Sequence, residues 1–454
     1  VIARAFQRAI LRIAACLVAL IVAAPCRAQA ILTGETSAID VIHYDATIQP
    51  DIAENVFSGR VTIAFAISGG RTSDVEFDAG NLIVDAVTER SRPLRFERQA
   101  RHLRVRLVDG VETGRRHEIA VAYHGQPRGG LTFIADPPQA LTAFSTSDWM
   151  VCIDAPGDRA TFRLHLVVPQ DFLVVANGAF VRRHVEANGL VTHEWNETVP
   201  MPSYVFGFAA GRFREASADV GGVTFRHIGA GLSAPELQQI FSETPDILAY
   251  FEARAGVRYG SRTYTEVLAG NGGGQEMSGY TLLPDSYGRN VLADGRAGTL
   301  AAHELAHQWW GNLVTCQDWR EFWLNEGFAT FMAAAYIERR DGRDAYDRVI
   351  AASRDRYLVV KNTGHDRPLV FPDWNHPTMD DRTIVYQKGA YVLSLLRERL
   401  GETAFWNGVK QYTRQHAGRS VTSADLQRAM ERASRQDLSS FFAEWVYPSE
   451  APRR

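Results

Sequence analysis

The chain has 454 residues, 22% charged and 46% hydrophobic, and a net charge of -3. This is ordinary globular composition, long enough for two or three domains, with no low-complexity tract and no long run of one charge. The near-neutral balance leaves no basic footprint for nucleic acid, and no such partner is expected.

The first thirty residues stand apart. Arg4, Arg8 and Arg12 precede an apolar run over residues 13–25, and Ala28-Gln29-Ala30 offers a small-x-small cleavage site. This layout predicts a signal peptide over residues 1–30, with an exported chain (periplasmic or secreted) starting near Ile31. The apolar run is short for a spanning helix, so membrane attachment is expected only if the segment stays uncleaved. Of the four cysteines, Cys16 and Cys26 fall in this leader. Cys152 and Cys316 are too few for a disulfide framework and are expected as buried free thiols.

From Val41 to Phe213 the pattern is mostly period two. Val61, Ile63, Phe65 and Ile67 alternate with smaller or more polar neighbours, and Leu103, Val105 and Leu107 alternate with Arg104 and Arg106. Turn signals such as Ser68-Gly69-Gly70 and Gly129-Gly130 separate the runs. Residues 31–213 therefore read as an all-β, mostly antiparallel domain.

After Phe213 the periodicity changes. Ser233 is placed to cap a helix whose apolar face carries Leu237, Ile240 and Phe241, and Leu248 and Phe251 continue beyond Pro245. Further helical segments cover His303 to Trp310, Glu326 to Arg339, Tyr386 to Leu400 with Gly401 as a stop, and most of Ser423 to Trp445. Residues 214–454 thus form a helix-rich second domain, and the fold class is α+β.

That second domain carries His303-Glu304-Leu305-Ala306-His307 and, with eighteen residues between His307 and Glu326, the carboxylate of Asn325-Glu326-Gly327. Histidines four apart on a helix face the same way and can grip one zinc ion, with Glu326 as third ligand. Three protein ligands leave a fourth position open for water, as a catalytic site requires, and Glu304 stands beside it as a general base. The set of two nitrogens and one oxygen suits zinc, although manganese or cobalt can substitute in vitro. The bland reading is a helix with two solvated or core histidines.

The run His303-Glu304-Leu305-Ala306-His307-Gln308-Trp309-Trp310-Gly311-Asn312 resembles the signature of zinc aminopeptidases of the aminopeptidase N and leukotriene hydrolase type, the gluzincins. Trp323-Leu324-Asn325-Glu326-Gly327 is similar too. So are Cys152-Ile153-Asp154-Ala155-Pro156 with Arg159, Met201-Pro202-Ser203-Tyr204, Tyr250-Phe251-Glu252 and Phe442-Ala443-Glu444-Trp445. The resemblance implies a saddle-like antiparallel β domain followed by a thermolysin-like catalytic domain holding one zinc ion, and peptides as substrates. It implies His303, His307 and Glu326 as zinc ligands, Glu304 as base, and Tyr386 in Tyr386-Gln387-Lys388-Gly389-Ala390 as the phenol that stabilises the tetrahedral intermediate. By itself a tyrosine at a helix start would read as core or surface.

The family anchors the substrate's amine with a glutamate in Gly-x-Met-Glu-Asn. Its counterpart here is Gly273-Gly274-Gln275-Glu276-Met277, which keeps Glu276 but changes both neighbours. Gly273 and Gly274 are expected to let backbone lie close to a peptide. A flexible loop is the plain alternative, and a phosphate loop is disfavoured because no Gly-Lys-Ser/Thr follows. A second anchoring stretch of the family aligns with Thr142-Ala143-Phe144-Ser145, where its polar groups are missing. Large members also continue into a helical domain beyond the segment matched by Trp445, which leads to the expectation of an open cleft that admits longer peptides. The function expected is N-terminal peptide hydrolysis. The alternatives are a related endopeptidase or other hydrolase with relaxed N-terminal selectivity, and a non-catalytic peptide-binding relative. Nothing in the sequence speaks to oligomeric state.

Overall fold

The alternating segments pair as their periodicity requires. In the computed structural model, which describes residues 36–447 except 37, 71, 109–111, 271, 296–298 and 372–376, an eight-stranded sheet dominates the N-terminal part. Its strand order is Ala179–Val185, Val191–Pro202, Arg159–Val168, Ala38–Asp51, Val56–Gly69, Arg116–Gly125, Ile83–Glu89, Arg92–Pro93. All neighbours are antiparallel except Ala38–Asp51 and Arg159–Val168, which run parallel with His43 opposite Thr161 and Ile48 opposite Leu166. Val61, Ile63, Phe65 and Ile67 all point into the core, as the period of two dictates. The strand His102–Arg106 departs from simple alternation, since Arg104 is buried between Leu103 and Val105. A three-stranded sheet (Asp74–Asp78, His102–Arg106, Arg95–Gln99) and a four-stranded one (Leu173–Ala176, Phe208–Gly211, Pro138–Thr142, Leu131–Ala135) complete this part. The predicted leader lies outside the described residues. Among the described residues no helix is long and apolar enough to cross a membrane.

Strands do not stop at Phe213. Arg214–Val220, Val223–Gly229, Thr263–Leu268 and Tyr280–Leu283 form another four-stranded sheet that the periodicity reading does not anticipate. The first two form a short antiparallel hairpin, while Thr263–Leu268 and Tyr280–Leu283 come later in the chain and are buried on both faces, so they show no alternation. The last two strands run parallel to their neighbours, and the glycine-rich segment connects the end of Thr263–Leu268 to the start of Tyr280–Leu283.

The helices follow the sequence with adjusted ends. Ser233 caps Ala234–Ile240 with a reciprocal bond pair to Glu236, and Pro245 opens a separate helix, Thr244–Ala255, instead of continuing the first. Trp323–Asp341 is nearly all buried and forms the axis of the C-terminal part, packed by Thr299–Ala306, Arg343–Asn362 and Gly389–Leu400. Gly327 and Gly389 meet where two of these helices cross, each lying where the other's side chain would be. The segment Ser423 to Trp445 is two helices, Ser423–Ser434 and Ser439–Trp445. Cys152 and Cys316 are free and buried in two separate cores.

Candidate active site and metal centre

The helix bearing the histidine pair is shorter than its motif. It spans Thr299–Ala306, so His303 and Glu304 lie in its last turn and His307 just beyond it. There the winding tightens: Gln308 N–H donates to Leu305 O and Trp309 N–H to Ala306 O, while His307 N–H keeps a long 3.4 Å bond to His303 O. Gly311, at φ 144°, folds the chain back over His307, and a Cβ there would press on His307 Nδ1. The fold-back puts Trp310 O 3.0 Å from His307 Nδ1. With Nδ1–H donating to this carbonyl, Nε2 is left as a lone pair facing the cleft.

Three such lone-pair atoms converge. His303 Nε2 and His307 Nε2 are 3.1 Å apart, and Glu326 Oε2 lies 3.2 Å from the first and 3.4 Å from the second. Ligands at 2.0–2.1 Å around a tetrahedral zinc stand roughly 3.3 Å from one another, so this triangle fits the ion. Two nitrogen lone pairs at this distance repel, and a positive charge between them, a metal ion or a proton, resolves the contact. Thr330 Oγ1, 3.4 Å from His303 Nδ1, and the ring of Tyr386, stacked on His303 at 5.8 Å, hold the outer imidazole.

Carboxylates crowd this point. Glu276, Glu304 and His307 also lie within 4.8 Å of one another. Burial works against the charge of Glu326, but His307 and the hydrogen bonds from both imidazoles pull its carboxyl well below the usual range. Burial pushes Glu304 up, and Glu276 and Glu326 push it further, while Glu276 is raised chiefly by burial. Burial would lower His307, yet Glu276, Glu326 and Glu304 raise it to about 10. The pocket thus stabilises positive charge among three acids.

All eight residues singled out in the sequence border one cleft of about 690 Å³: Gly273, Gly274, Glu276, His303, Glu304, His307, Glu326 and Tyr386. Gly273 faces open space, as backbone beside a peptide should, whereas Gly274 lies directly against the Glu304 carboxyl. Tyr386 sits in a single turn of π-helix, Ile384–Lys388, that joins Met379–Thr383 to Gly389–Leu400. The wider turn displaces the ring from the helical register. Glu276 Oε2 accepts from Gln275, while Oε1 is buried and has no protein partner. Thr142–Ser145 does not border the cleft: the Thr142 hydroxyl bonds both the N–H and C=O of Phe208, and Phe144 packs on Tyr204 and Trp319.

Sequence reasoning passed over the polar residues that tie these parts together. Gln308 donates to Met277 O and accepts from Gly279 N–H, and Asn312 Nδ2 donates to Glu276 O at 3.1 Å. Asn325 accepts from Cys316 N–H and donates to Tyr204 Oη, which in turn donates to Gly311 O. Arg159 reaches from the large sheet to Asn312 O at 3.0 Å and to Thr315 Oγ1. The available signal was their position: polar side chains inside runs of buried tryptophan and glycine have to find partners.

The sequence model of the Peptidase family M1 domain matches residues 271–445, and that of the Peptidase M1 N-terminal domain matches residues 41–205. The chain belongs to peptidase family M1. Among curated M1 relatives, Aminopeptidase M1-D of rice (Oryza sativa subsp. japonica) is 25% identical over 89% of this chain and 49% of its own length. Human Endoplasmic reticulum aminopeptidase 1 is 25% identical over 86% of this chain and 45% of its own. The chain spans about half the length of these curated relatives. Among solved structures, the M1 zinc metallopeptidase of Deinococcus radiodurans is 25% identical, with a TM-score of 0.75 over 92% of this chain and 98% of that one. A point mutant of that enzyme bound to a Tyr-Ser-Ala substrate gives a TM-score of 0.74 at 26% identity, over 91% and 95% of the two chains. These M1 relatives share the α+β architecture described above.

Proposed function

We propose that this chain is a zinc aminopeptidase that removes the N-terminal residue from peptides. The observation that carries this reading is the His303–His307–Glu326 triangle with Glu304, Glu276 and Tyr386 on the walls of the same cleft. The names of the M1 relatives and the tripeptide bound to the Deinococcus enzyme support it. One zinc ion is expected, held by His303, His307 and Glu326; when bound, it would polarise the scissile carbonyl and lower the pKa of the attacking water.

The protein's own groups do the rest. Glu304 takes a proton from the attacking water and returns it to the leaving amine, a task suited to a carboxyl whose affinity for protons is raised by burial. The Tyr386 phenol donates to the carbonyl oxygen as that atom gains charge, so its bond is stronger in the transition state than in the ground state. Glu276 Oε1 offers a free acceptor for the substrate's ammonium, which sets the first peptide bond beside Glu304.

One observation favours a broader reading of selectivity. Thr142 spends its hydroxyl inside the fold, so this stretch adds no polar group to the cleft beside Glu276. Relaxed N-terminal selectivity, shading into endopeptidase action, is the second reading. The leader with Arg4, Arg8, Arg12 and Ala28-Gln29-Ala30 supports export as the setting for the enzyme.

The test is a panel of aminoacyl reporters and matched N-acetylated peptides, run with and without a chelator, beside Glu304→Gln. Chelator-sensitive release from free-amine substrates, with a fall in kcat of about 10²–10⁴-fold in the zinc-loaded variant, is expected. Full activity of Glu304→Gln would sink the base assignment. Equal rates on N-acetylated substrates would replace the exopeptidase reading with the endopeptidase one, and a wild-type protein that takes up no zinc would point to a non-catalytic relative.

A further inference from the structure

The cleft also carries positive side chains. Besides the acids and imidazoles at the metal centre, its charged lining residues are Arg356, on the helix Arg343–Asn362, and Arg382, on the short helix Met379–Thr383. Both are exposed to the cleft, and among the described residues neither guanidinium has a hydrogen-bond or ion-pair partner. The acids next to Arg382 are engaged elsewhere: Asp380 with His365, and Asp381 with Arg367 and the Thr378 cap. On the neighbouring helix Asp355 pairs with Arg354, leaving Arg356 free. The cleft is therefore lined both by three buried carboxylates and by two guanidinium groups that have no partner among the described residues.

The spacing limits what fits. Arg382 precedes Tyr386 by four residues, about one helical turn or roughly 5.4 Å along the axis. An extended peptide advances about 3.3–3.6 Å per residue, so a separation of that order is the length of one or two residues. A cleft of about 690 Å³ lies in the usual range for small-molecule sites. Guanidinium groups are the side chains best matched to a planar carboxylate, which they hold through paired N–H donors.

We propose that Arg356 and Arg382 bind the C-terminal carboxylate of di- and tripeptides, making short peptides with both termini free the preferred substrates of this cleft. The proposal rests on the aminopeptidase reading for the ammonium at Glu276, and it narrows the expectation of an open cleft that admits longer peptides. A carboxylate on an acidic side chain offers the same chemistry from another source, so the test separates the two.

The probes are Ala-Ala-Ala, its C-terminal amide, and Ala-Asp-Ala amide. Binding to the zinc-loaded Glu304→Gln protein is measured by calorimetry, which needs no turnover; kcat/KM is then measured on wild type. The free acid is expected to exceed its amide by about ten-fold in affinity and in kcat/KM. That ratio should fall to near one when Arg356→Gln and Arg382→Gln are combined, and because the amide serves as its own control, a general loss of folding cannot imitate the change. Equal binding of acid and amide by the parent protein overturns the proposal, as does a ratio that survives the double substitution. Preference for Ala-Asp-Ala amide over Ala-Ala-Ala overturns the C-terminal assignment in favour of side-chain recognition. Failure of the aminopeptidase reading shows differently, as normal binding ratios with no cleavage of any free-amine peptide.

Discussion

Gly274 and Glu304 share one volume: a methyl group built on Gly274 overlaps the Glu304 carboxyl. The glycine-rich segment is thus a wall that fixes where the carboxyl of Glu304, the proposed base, can lie. Gly274→Ala should displace that carboxyl while leaving His303, His307 and Glu326 in place. A displacement near 1 Å corresponds to about a 100-fold loss in kcat with zinc content unchanged. Metal analysis beside steady-state kinetics checks this; undiminished kcat would mean that the backbone yields and the contact positions nothing.

Asn312 links the loop after His307 to Glu276, the proposed amine anchor, through its bond to Glu276 O. Asn312→Ala leaves that buried carbonyl without its side-chain donor, at a cost of about 1–3 kcal/mol in stability. The loss should appear as a lower urea midpoint. Because Glu276 is the group that loosens, KM for free-amine reporters should rise more than kcat falls. A change in kcat alone would show that Asn312 acts on the metal loop and not on the anchor.

Removing the metal should destabilise the fold. Zinc bound by the native triad and not by the unfolded chain adds stability in proportion to RT ln(1 + [Zn]/Kd), about 2.7 kcal/mol at a hundred-fold excess over Kd. A chelator should therefore lower Tm, and added zinc should restore it. In His307→Ala, Tm should no longer respond to zinc. A Tm of the wild type that ignores both treatments would argue against His303, His307 and Glu326 as the binding set.

A pH effect on stability is expected outside the cleft, at Asp158. Burial raises this carboxyl to about 7, against the opposing bond from Val41 N–H and with a contribution from Asp40. Its value in the unfolded chain is about 3.9. Between those limits the folded chain holds a proton that the unfolded chain has released. The group's contribution to stability is therefore complete below about pH 4 and is lost as pH rises through about 7, by at most ~1.4 kcal/mol per pH unit. Asp158→Asn keeps an acceptor for Val41 and should flatten this slope in urea unfolding measured across about pH 5–8. An unchanged slope would assign it to other groups.

Much of the molecule was legible in the sequence because its determinants are local. Alternation from Val61 to Ile67 fixed which face of a strand is buried, Ser233 and Glu236 fixed a helix start, and the spacing of His303, His307 and Glu326 named a set of ligands. The resemblance to zinc aminopeptidases then supplied Tyr386 and Glu276, whose local context alone was ambiguous. What stayed hidden depends on approach between distant segments. In the sheet of Arg214–Val220, Val223–Gly229, Thr263–Leu268 and Tyr280–Leu283 the first two strands are a local hairpin, but the parallel pairing of the later two spans helices and the glycine-rich segment, so no local period reports it. The end of the metal helix at Ala306, the lone pair on His307 Nε2 set by Trp310 O, and the wider turn at Tyr386 arise from packing that overrides helical register. The sequence by itself determined which residue types could hold a metal and move a proton. Tertiary structure decided that Gly274 bounds Glu304, that Asn312 and Arg159 tie the metal loop to the anchor and the large sheet, and that Arg356 and Arg382 face the same cleft. Side-chain chemistry is written residue by residue, whereas distance and burial, which set its strength, exist only once remote parts of the chain are packed together.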